Sequence, residues 1–321
     1  MRYAVLAGVV RRLAGTVVTL FGVAVVVFVI LRRLPGDAVT ASMGVSAGLL
    51  TPAQRHALDQ FYGVGQPALQ QFWSWLHSTL SGNLGISLAA QQPVSKLIGH
   101  ALPVTLELGI ASLVLGLAIG VSLGVLGGLR PGRIGDDVGQ GVAVVGLGIP
   151  SFVLGTGLVT FLSSQFQYFP SSQGYVSLFR DPWLNVQQIF FPALVLSLGI
   201  GAAIMRTTRT AVLEVTGQNF VRTARGKGLS GRAVVWRHVF LNALVPVVTM
   251  SGIQLGYLLG GTVIIEQIYV LPGLGRLLVT SINNRDFPVV QSLTMLFATG
   301  FVVVNMLVDL VCAAIDPRAR R

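Results

Sequence analysis

The residues of this chain that could do chemistry are few, and none is arranged for catalysis. His56, His77, His100 and His238 do not have the spacing of a metal-ligand motif. The sequence contains no glycine-rich phosphate loop of the kind that binds ATP. Cys312 is its only cysteine, so neither an intrachain disulfide nor a thiolate metal cluster can form. The residue types therefore argue against an enzyme.

One segment instead carries chemistry suited to binding a partner. Residues 220–246 read FVRTARGKGLSGRAVVWRHVFLNALVP and contain five basic residues and no acidic one. Gly226, Gly228 and Gly231 predict an interrupted helix, and Ser230 is predicted to cap a second helical piece. An interrupted helix cannot lie in lipid, and its charge favours the cytoplasmic side. We interpret the segment as a docking platform, and the alternative is a loop that only sets topology.

Three carboxylates fall within or beside apolar segments. An ionisable side chain is costly in lipid, so each is a functional candidate. Asp309, near the inner end of the last apolar segment, is expected to pair with a nearby cytoplasmic arginine. Glu107 and Glu266, near outer ends, are the better functional candidates.

The amino-acid composition indicates the class of protein to which these residues belong. The chain has 321 residues, of which 53% are hydrophobic and only 10% are charged. A soluble domain has about 25% charged residues, so long uncharged runs here predict an all-helical integral membrane protein. The net charge of +11 is attributed to membrane topology, because no nucleic-acid motif accompanies it. The expected surroundings are a lipid bilayer, and no nucleic-acid partner is expected.

Apolar runs and charges together predict six membrane spans in one domain covering residues 1–321. The predicted spans are 13–31, 102–129, 138–162, 189–205, 243–265 and 288–315. A polar extracytoplasmic loop is predicted at residues 35–100, and a cytoplasmic loop at 206–242. With the amino terminus inside, 15 of the 22 Lys and Arg residues are cytoplasmic, so both termini are predicted to be cytoplasmic.

Glycine and proline predict how the spans pack. Glycines at four-residue spacing share one helix face and allow another helix to approach closely. Such series occur in the second and fifth predicted spans: Gly116, Gly120, Gly124 and Gly128, and Gly252, Gly256 and Gly260. We expect two tight helix contacts, either within the subunit or across a dimer. Pro150 is expected to kink the third span.

The basic segment resembles the coupling loop of ABC-importer membrane subunits. Arg222-Thr223-Ala224 falls on the Glu-Ala-Ala triplet of that family, and Gly228 falls on its glycine. The fuller pattern Arg-Thr-Ala-Arg-x-Lys-Gly-Leu, followed by Arg-His and Asn-Ala-Leu-x-Pro, is similar to the B-type membrane subunit of the dipeptide/oligopeptide (peptide/nickel) permeases. Further matches are LRRLPGD after the first span, PGLGR after the fifth and NRDFPVVQ at the sixth, with Phe287 where tyrosine is usual.

The resemblance implies a type I ABC-importer permease fold in a bacterial cytoplasmic (inner) membrane. Its implied partners are a homologous second permease subunit, two ATP-binding subunits or a fused pair, and an extracytoplasmic solute-binding protein. ATP and Mg²⁺ would be bound by those partners, so no cofactor is expected in this chain. The implied ATPase-coupling residues are Phe220, Arg222, Thr223, Ala224, Arg225, Lys227, Gly228 and Leu229. The apolar ones, together with Val221, are expected to be exposed for that contact.

The implied function is ATP-driven import of di- or oligopeptides, with Glu107 and Glu266 as pathway or gating candidates. Nickel, glutathione and oligosaccharide importers belong to the same subfamily and remain open as alternatives. A self-sufficient secondary transporter is the other class considered. It usually has inverted repeats and paired ionisable residues at mid-membrane, and neither is evident in this sequence.

Overall fold

A computed structural model describes residues 2–33, 51–53, 67–87, 89–168 and 174–315. These residues are almost entirely helical, which confirms the all-α prediction. Within the described residues, the α-helices are α1 (Arg2–Arg33), α2 (Ala68–Leu80), α3 (Val94–Leu129), α4 (Ile134–Gly148), α5 (Ser151–Phe166), α6 (Pro182–Thr216), α7 (Asn219–Gly226), α8 (Gly231–Val234), α9 (Leu241–Ile268), α10 (Leu274–Asn283) and α11 (Phe287–Ile315). A π-helical segment, Val235–Phe240, joins α8 to α9.

Within the described ranges, five helices are long and apolar enough to cross a membrane. The count reaches six when α4 and α5, which are separated by a break, are taken as one bent span. The six predicted spans agree with this count. The cytoplasmic placement of the two termini remains a prediction.

The chain divides into two compact units, residues 1–103 with 276–302 and residues 104–275 with 303–321. In the first unit, α1 and α2 pack through aromatic rings. Phe72 is buried, and its ring centroid lies 5.8 Å from that of Phe21 and 5.4 Å from that of Phe28. Trp75 stacks on Phe28 at 6.2 Å. The aromatic residues of α2 thus hold this helix against the first span.

The segment before α3 belongs to the same unit and is tied to the start of α11. Ser87 Oγ donates to the buried Asp286 Oδ2 over 2.5 Å, and Ala89 N donates to the same oxygen over 3.3 Å. Val94 N donates to the Gly85 carbonyl at 3.0 Å, where α3 begins. Part of the predicted loop 35–100, residues 35–50, 54–66 and 88, lies outside the described residues.

The second unit is built around a close contact between α3 and α6. A Cβ added at Gly120 would lie 2.6 Å from the Gly201 carbonyl oxygen, and one at Gly124 would lie 2.5 Å from Thr208 Cβ. Gly116 and Gly128 extend the same contact toward Ile200 and Val212. Any side chain on this glycine face would collide with α6, so the spacing places the four-glycine contact within this subunit.

The second glycine series has a more limited role in the chain. Gly252 on α9 lies against the side chain of Val308 on α11, with no room for a Cβ. Gly256 is buried, whereas Gly260 is exposed and has no neighbour within 4 Å of an added Cβ. Within the described residues, a close approach to another helix is therefore seen at Gly252 and not at Gly260.

The third predicted span is broken rather than kinked. The axes of α4 and α5 differ by 99° across Ile149 and Pro150. A Cβ added at Gly146 would lie 2.5 Å from the carbonyl oxygen of Leu198, near the middle of the predicted span 189–205. The break therefore lies opposite the middle of α6, with Ile149 and Pro150 exposed on the surface of the chain.

The longest scaffold element of the second unit is α6, with 35 residues and a length of about 50 Å. Asp181 caps its start, because its Oδ1 accepts from Trp183 N and Leu184 N at 3.1 Å each, and Pro182 occupies the first turn. A hydrocarbon core of about 30 Å is shorter than this helix. The helix therefore extends well beyond the predicted span and carries its buried face into the basic segment.

Candidate docking site at residues 219–243

The basic segment folds as the helix α7, a tight reversal and the short helix α8. Gly228 ends α7 with a φ of +78°. Its N–H donates to the Arg225 carbonyl at 3.0 Å, and Leu229 N donates to the Ala224 carbonyl at 3.4 Å. These two bonds form a Schellman motif, in which the left-handed position favours glycine. The glycine that the resemblance singled out therefore has a backbone role.

The second helical piece begins where the sequence predicts. Ser230 Oγ accepts from Ala233 N at 3.4 Å and caps α8, which confirms the predicted cap. The chain then continues through the π-helical segment into α9 without a break. In this segment Trp236 and Phe240 form an edge-to-face ring contact at 5.2 Å. π-Helical turns are rare and often occur at functional sites.

Two residues expected to be exposed are buried inside the chain. Val221 is 0% and Ala224 is 5% exposed, so the expectation that they would be exposed is wrong. They pack in a cluster with residues of α6, α8, the π-helical segment and the start of α9: Ala211, Val212, Val215, Val234, Val239 and Ala243. This shared packing fixes α7 to the end of α6.

The opposite side of α7 and the reversal after it are exposed to solvent. Phe220 is 40% and Leu229 is 44% exposed. We call this surface the docking face, and its residues are Phe220, Arg222, Thr223, Arg225, Lys227 and Leu229, all exposed. Two apolar side chains are thus surrounded by three cations and one hydroxyl. A surface of this kind suits a partner groove with an apolar floor and an acidic rim.

Glu266 and Glu107, the two carboxylate candidates, are engaged in different contacts. Glu266 is fully buried, accepts from Thr105 Oγ1 at 2.8 Å and lies directly against Gly273, where a Cβ would not fit. Glu107 is half-buried and accepts from Tyr175 Oη at 2.6 Å. The pKa of Tyr175 is raised above its ordinary value, chiefly by burial and secondly by this hydrogen bond. Glu266 therefore holds the segment after α9, while Glu107 anchors the segment before α6.

Comparison with known proteins assigns the chain to a family. Residues 116–321 match the family described as "Binding-protein-dependent transport system inner membrane component". Residues 5–109 match the N-terminal region of such membrane components. The chain belongs to this family. It is a permease subunit of an ABC importer, as the resemblance of its basic segment implies.

Relatives and solved structures agree with this assignment. The permease is 36% identical over 312 residues to the glutathione transport system permease protein GsiC of Escherichia coli K12, covering 97% of this chain and 98% of that protein. It is 37% identical over 313 residues to GsiC of Salmonella choleraesuis, with the same coverage. An inward-facing structure of the MetNI methionine ABC transporter matches with a TM-score of 0.55 and 20% identity, covering 69% of this chain and 97% of that one. The last comparison shows the shared fold.

The structure adds an ion pair in the permease that the sequence did not predict. Arg209 on α6 donates to Asp136 on α4 through Nε at 2.6 Å and Nη2 at 2.9 Å, and Gly132 N donates to the same carboxylate at 2.9 Å. Asp136 is 1% exposed. The partners lie 73 residues apart, so no local spacing marks them. In the sequence, the pair shows only as opposite charges near the ends of two predicted spans.

Within the described ranges, no group of three or more His, Cys, Asp or Glu residues could hold a metal ion. The expectation that ATP and Mg²⁺ are bound by partner subunits remains an expectation.

Proposed function

We propose that this permease forms half of the translocation pathway of an ATP-driven importer for short peptides, glutathione included, in a bacterial cytoplasmic membrane. The single observation that carries the substrate class is the 36% identity, over 97% of the chain, to a permease named for glutathione transport. Glutathione is itself a tripeptide, so this relative and the peptide-permease motifs of the sequence point to one substrate class. A solute-binding protein delivers the peptide, and a homologous second permease supplies the other half of the pathway.

Coupling to ATP hydrolysis is assigned to the docking face. Burial of Val221 and Ala224 fixes α7 to α6, so the exposed Phe220 and Leu229 are presented in a set orientation. A short helix presented in this way can enter a groove on an ATPase subunit. ATP binding would then draw the two ATPase subunits together, and α7 would move with the groove that holds it. The basic residues beside Phe220 favour an acidic rim on that groove.

The experiment is uptake by the complete complex in proteoliposomes, with the second permease, the ATPase subunits and the solute-binding protein. Labelled glutathione, a dipeptide, Ni²⁺ and an oligosaccharide are offered in separate arms. We expect ATP-dependent uptake of glutathione or the dipeptide. Uptake confined to Ni²⁺ or to the oligosaccharide contradicts the substrate class. Uptake by the permease alone, without ATPase subunits, identifies a secondary transporter instead.

The coupling assignment has its own variant and control. Phe220→Ala combined with Leu229→Ala removes the two exposed apolar side chains of the docking face. We expect this variant to lose copurifying ATPase subunits and ATP-driven uptake. Phe179→Ala removes a phenylalanine that is 97% exposed in the segment before α6, and it should retain both. Full ATPase copurification by the double variant excludes the docking face as the contact.

A further inference from the structure

The ion pair between Asp136 and Arg209 lies on a continuous line of contacts that starts at the docking face. Ala224 on α7 shares one buried cluster with Val212 and Val215 in the last turns of α6. Arg209 lies on the same helix, less than one turn before Val212, and its guanidinium holds Asp136 on α4. α7 is therefore linked to α4 through α6, first by apolar packing and then by the ion pair.

Beyond the ion pair, α4 remains against α6. A Cβ added at Gly139 would lie 2.5 Å from Met205 Cε, and one at Gly146 would lie 2.5 Å from the Leu198 carbonyl oxygen. These short distances show that no side chain larger than glycine fits between α4 and α6 at these two positions. The helix follows α6 up to the break at Ile149 and Pro150, where the span changes direction by 99°.

The carboxylate also fixes the turn that leads into α4. Asp136 Oδ2 accepts from Gly132 N, whereas Oδ1 would lie 2.8 Å from a Cβ added at Gly127 near the end of α3. One buried side chain thus holds the end of α3, the turn after it, the start of α4 and, through Arg209, α6.

We propose that Asp136 and Arg209 are positioning residues that transmit movement of α7 to α4 and hence to the break at Pro150. The proposal rests on the proposed coupling role of the docking face. Apolar contacts between helices can slide, whereas a guanidinium that donates two hydrogen bonds to one carboxylate has a fixed geometry. A buried ion pair is weak evidence for a gain in stability over apolar packing. Its directional geometry is what suits it to transmit displacement.

The test measures movement at the break without relying on the transported solute. Ile149→Cys is introduced in a Cys312→Ser background, so that the introduced cysteine is the one thiol of this chain. The complete complex in proteoliposomes is treated with a small water-soluble thiol reagent, with and without ATP and vanadate. In the otherwise unchanged protein, we expect nucleotide to change the labelling rate. Adding Asp136→Asn should reduce that change by about tenfold, within the range found for substitutions along coupling networks.

Neighbouring residues provide matched controls. Asp137 is exposed on the same helical turn, so Asp137→Asn should leave the nucleotide-dependent change intact. Arg209→Lys keeps the charge but cannot form the two-bond fork, and it should reduce the change less than Asp136→Asn does. Arg206 is exposed on α6, about one turn before Arg209, and Arg206→Lys should have no effect. Arg209→Lys also keeps the test decisive if Asp136→Asn does not assemble.

Copurification of the ATPase subunits is measured for every variant. Normal copurification with a lost labelling response in Asp136→Asn and a reduced one in Arg209→Lys supports transmission through the ion pair. A normal response in both variants overturns the proposal, and so does a response that is absent before either substitution is made. Parallel loss of ATPase binding and of response also overturns it, since the pair would then only stabilise the fold. Failure of the unsubstituted permease to bind ATPase subunits counts instead against the proposed function.

Discussion

The hydroxyl group of Thr105 on α3 lies 2.8 Å from the carboxylate of Glu266 on α9 and donates to it. The same hydroxyl accepts from Leu274 N, also at 2.8 Å, at the first residue of α10. One small side chain thus joins three helices in a place where no solvent reaches Glu266. The motif Pro272-Gly273-Leu274-Gly275-Arg276 is held in place by this contact, because Gly273 and Gly275 lie against Glu266.

Replacing Thr105 with valine should destabilise the permease while keeping its shape. The variant leaves the buried Glu266 Oε1 and the Leu274 N–H without this partner, at a cost of about 1–3 kcal/mol. The measurement is the midpoint of thermal unfolding of the purified complex in detergent. Thr105→Ser keeps the hydroxyl and should remain much closer to the unsubstituted protein. Equal midpoints for the valine and serine variants would show that the hydroxyl does not hold these helices together.

Adding a single methyl group to the glycine face of α3 should be enough to disturb it. Gly120→Ala places a Cβ 2.6 Å from the Gly201 carbonyl oxygen, so α3 and α6 must separate. Overpacking of this kind costs about 1–3 kcal/mol. Gly260→Ala is the control, because nothing lies within 4 Å of its new Cβ and alanine favours the helix. Detergent-solubilised yield and thermal midpoint should fall for the first variant only, and a fall in both would point to a general intolerance of alanine.

Ala224→Glu should act inside the permease rather than at its partner contact. The new carboxylate would enter the cluster between α6 and α7, where Ala224 is 5% exposed, and an uncompensated buried charge costs about 3–5 kcal/mol. We expect protease cleavage near residue 218 to increase even when no ATPase subunit is present. Thr223→Glu, one residue earlier and exposed, should leave that cleavage rate unchanged. A cleavage rate in Ala224→Glu equal to that of the unsubstituted protein would mean that the new carboxylate is not buried in this cluster.

The orientation of the spans can be tested with single cysteines in a Cys312→Ser background. Asn83→Cys and Phe179→Cys are exposed in segments predicted to be extracytoplasmic, and Gln218→Cys is exposed beside the docking face. The first two should react with a membrane-impermeant thiol reagent in intact cells, and the third only after permeabilisation. Labelling of Gln218→Cys in intact cells would reverse the proposed orientation and place the docking face outside.

Helix ends and the periodic spacing of glycines could be predicted from the sequence, because each depends on residues that are close together in the chain. The reversal at Gly228, the cap at Ser230 and the glycine face ending at Gly128 follow from backbone geometry and helix period. Burial of Ala224 was not readable, since the sequence shows that Val221 and Ala224 share a face but not which helix covers it.

Contacts between residues that are far apart in the chain could not be predicted from sequence patterns, because they depend on how the helices pack. The ion pair between Asp136 and Arg209 joins residues from separate spans, and only packing of α4 on α6 brings them together. Pro150 predicted a change of direction, but the 99° angle depends on where Gly146 and Gly155 allow other helices to approach. A proline fixes where a helix can bend, and the surrounding packing fixes how far.

The break at Pro150 has a consequence for the life of this subunit in the cell. The start of α5 has no side-chain cap, and its first N–H groups need protein or water as partners because lipid tails offer none. Ile149 and Phe152 are exposed beside these groups. A subunit made in excess of its companions would therefore present both polar N–H groups and apolar side chains at the break. We expect the unassembled chain to be degraded faster than the assembled one for this reason.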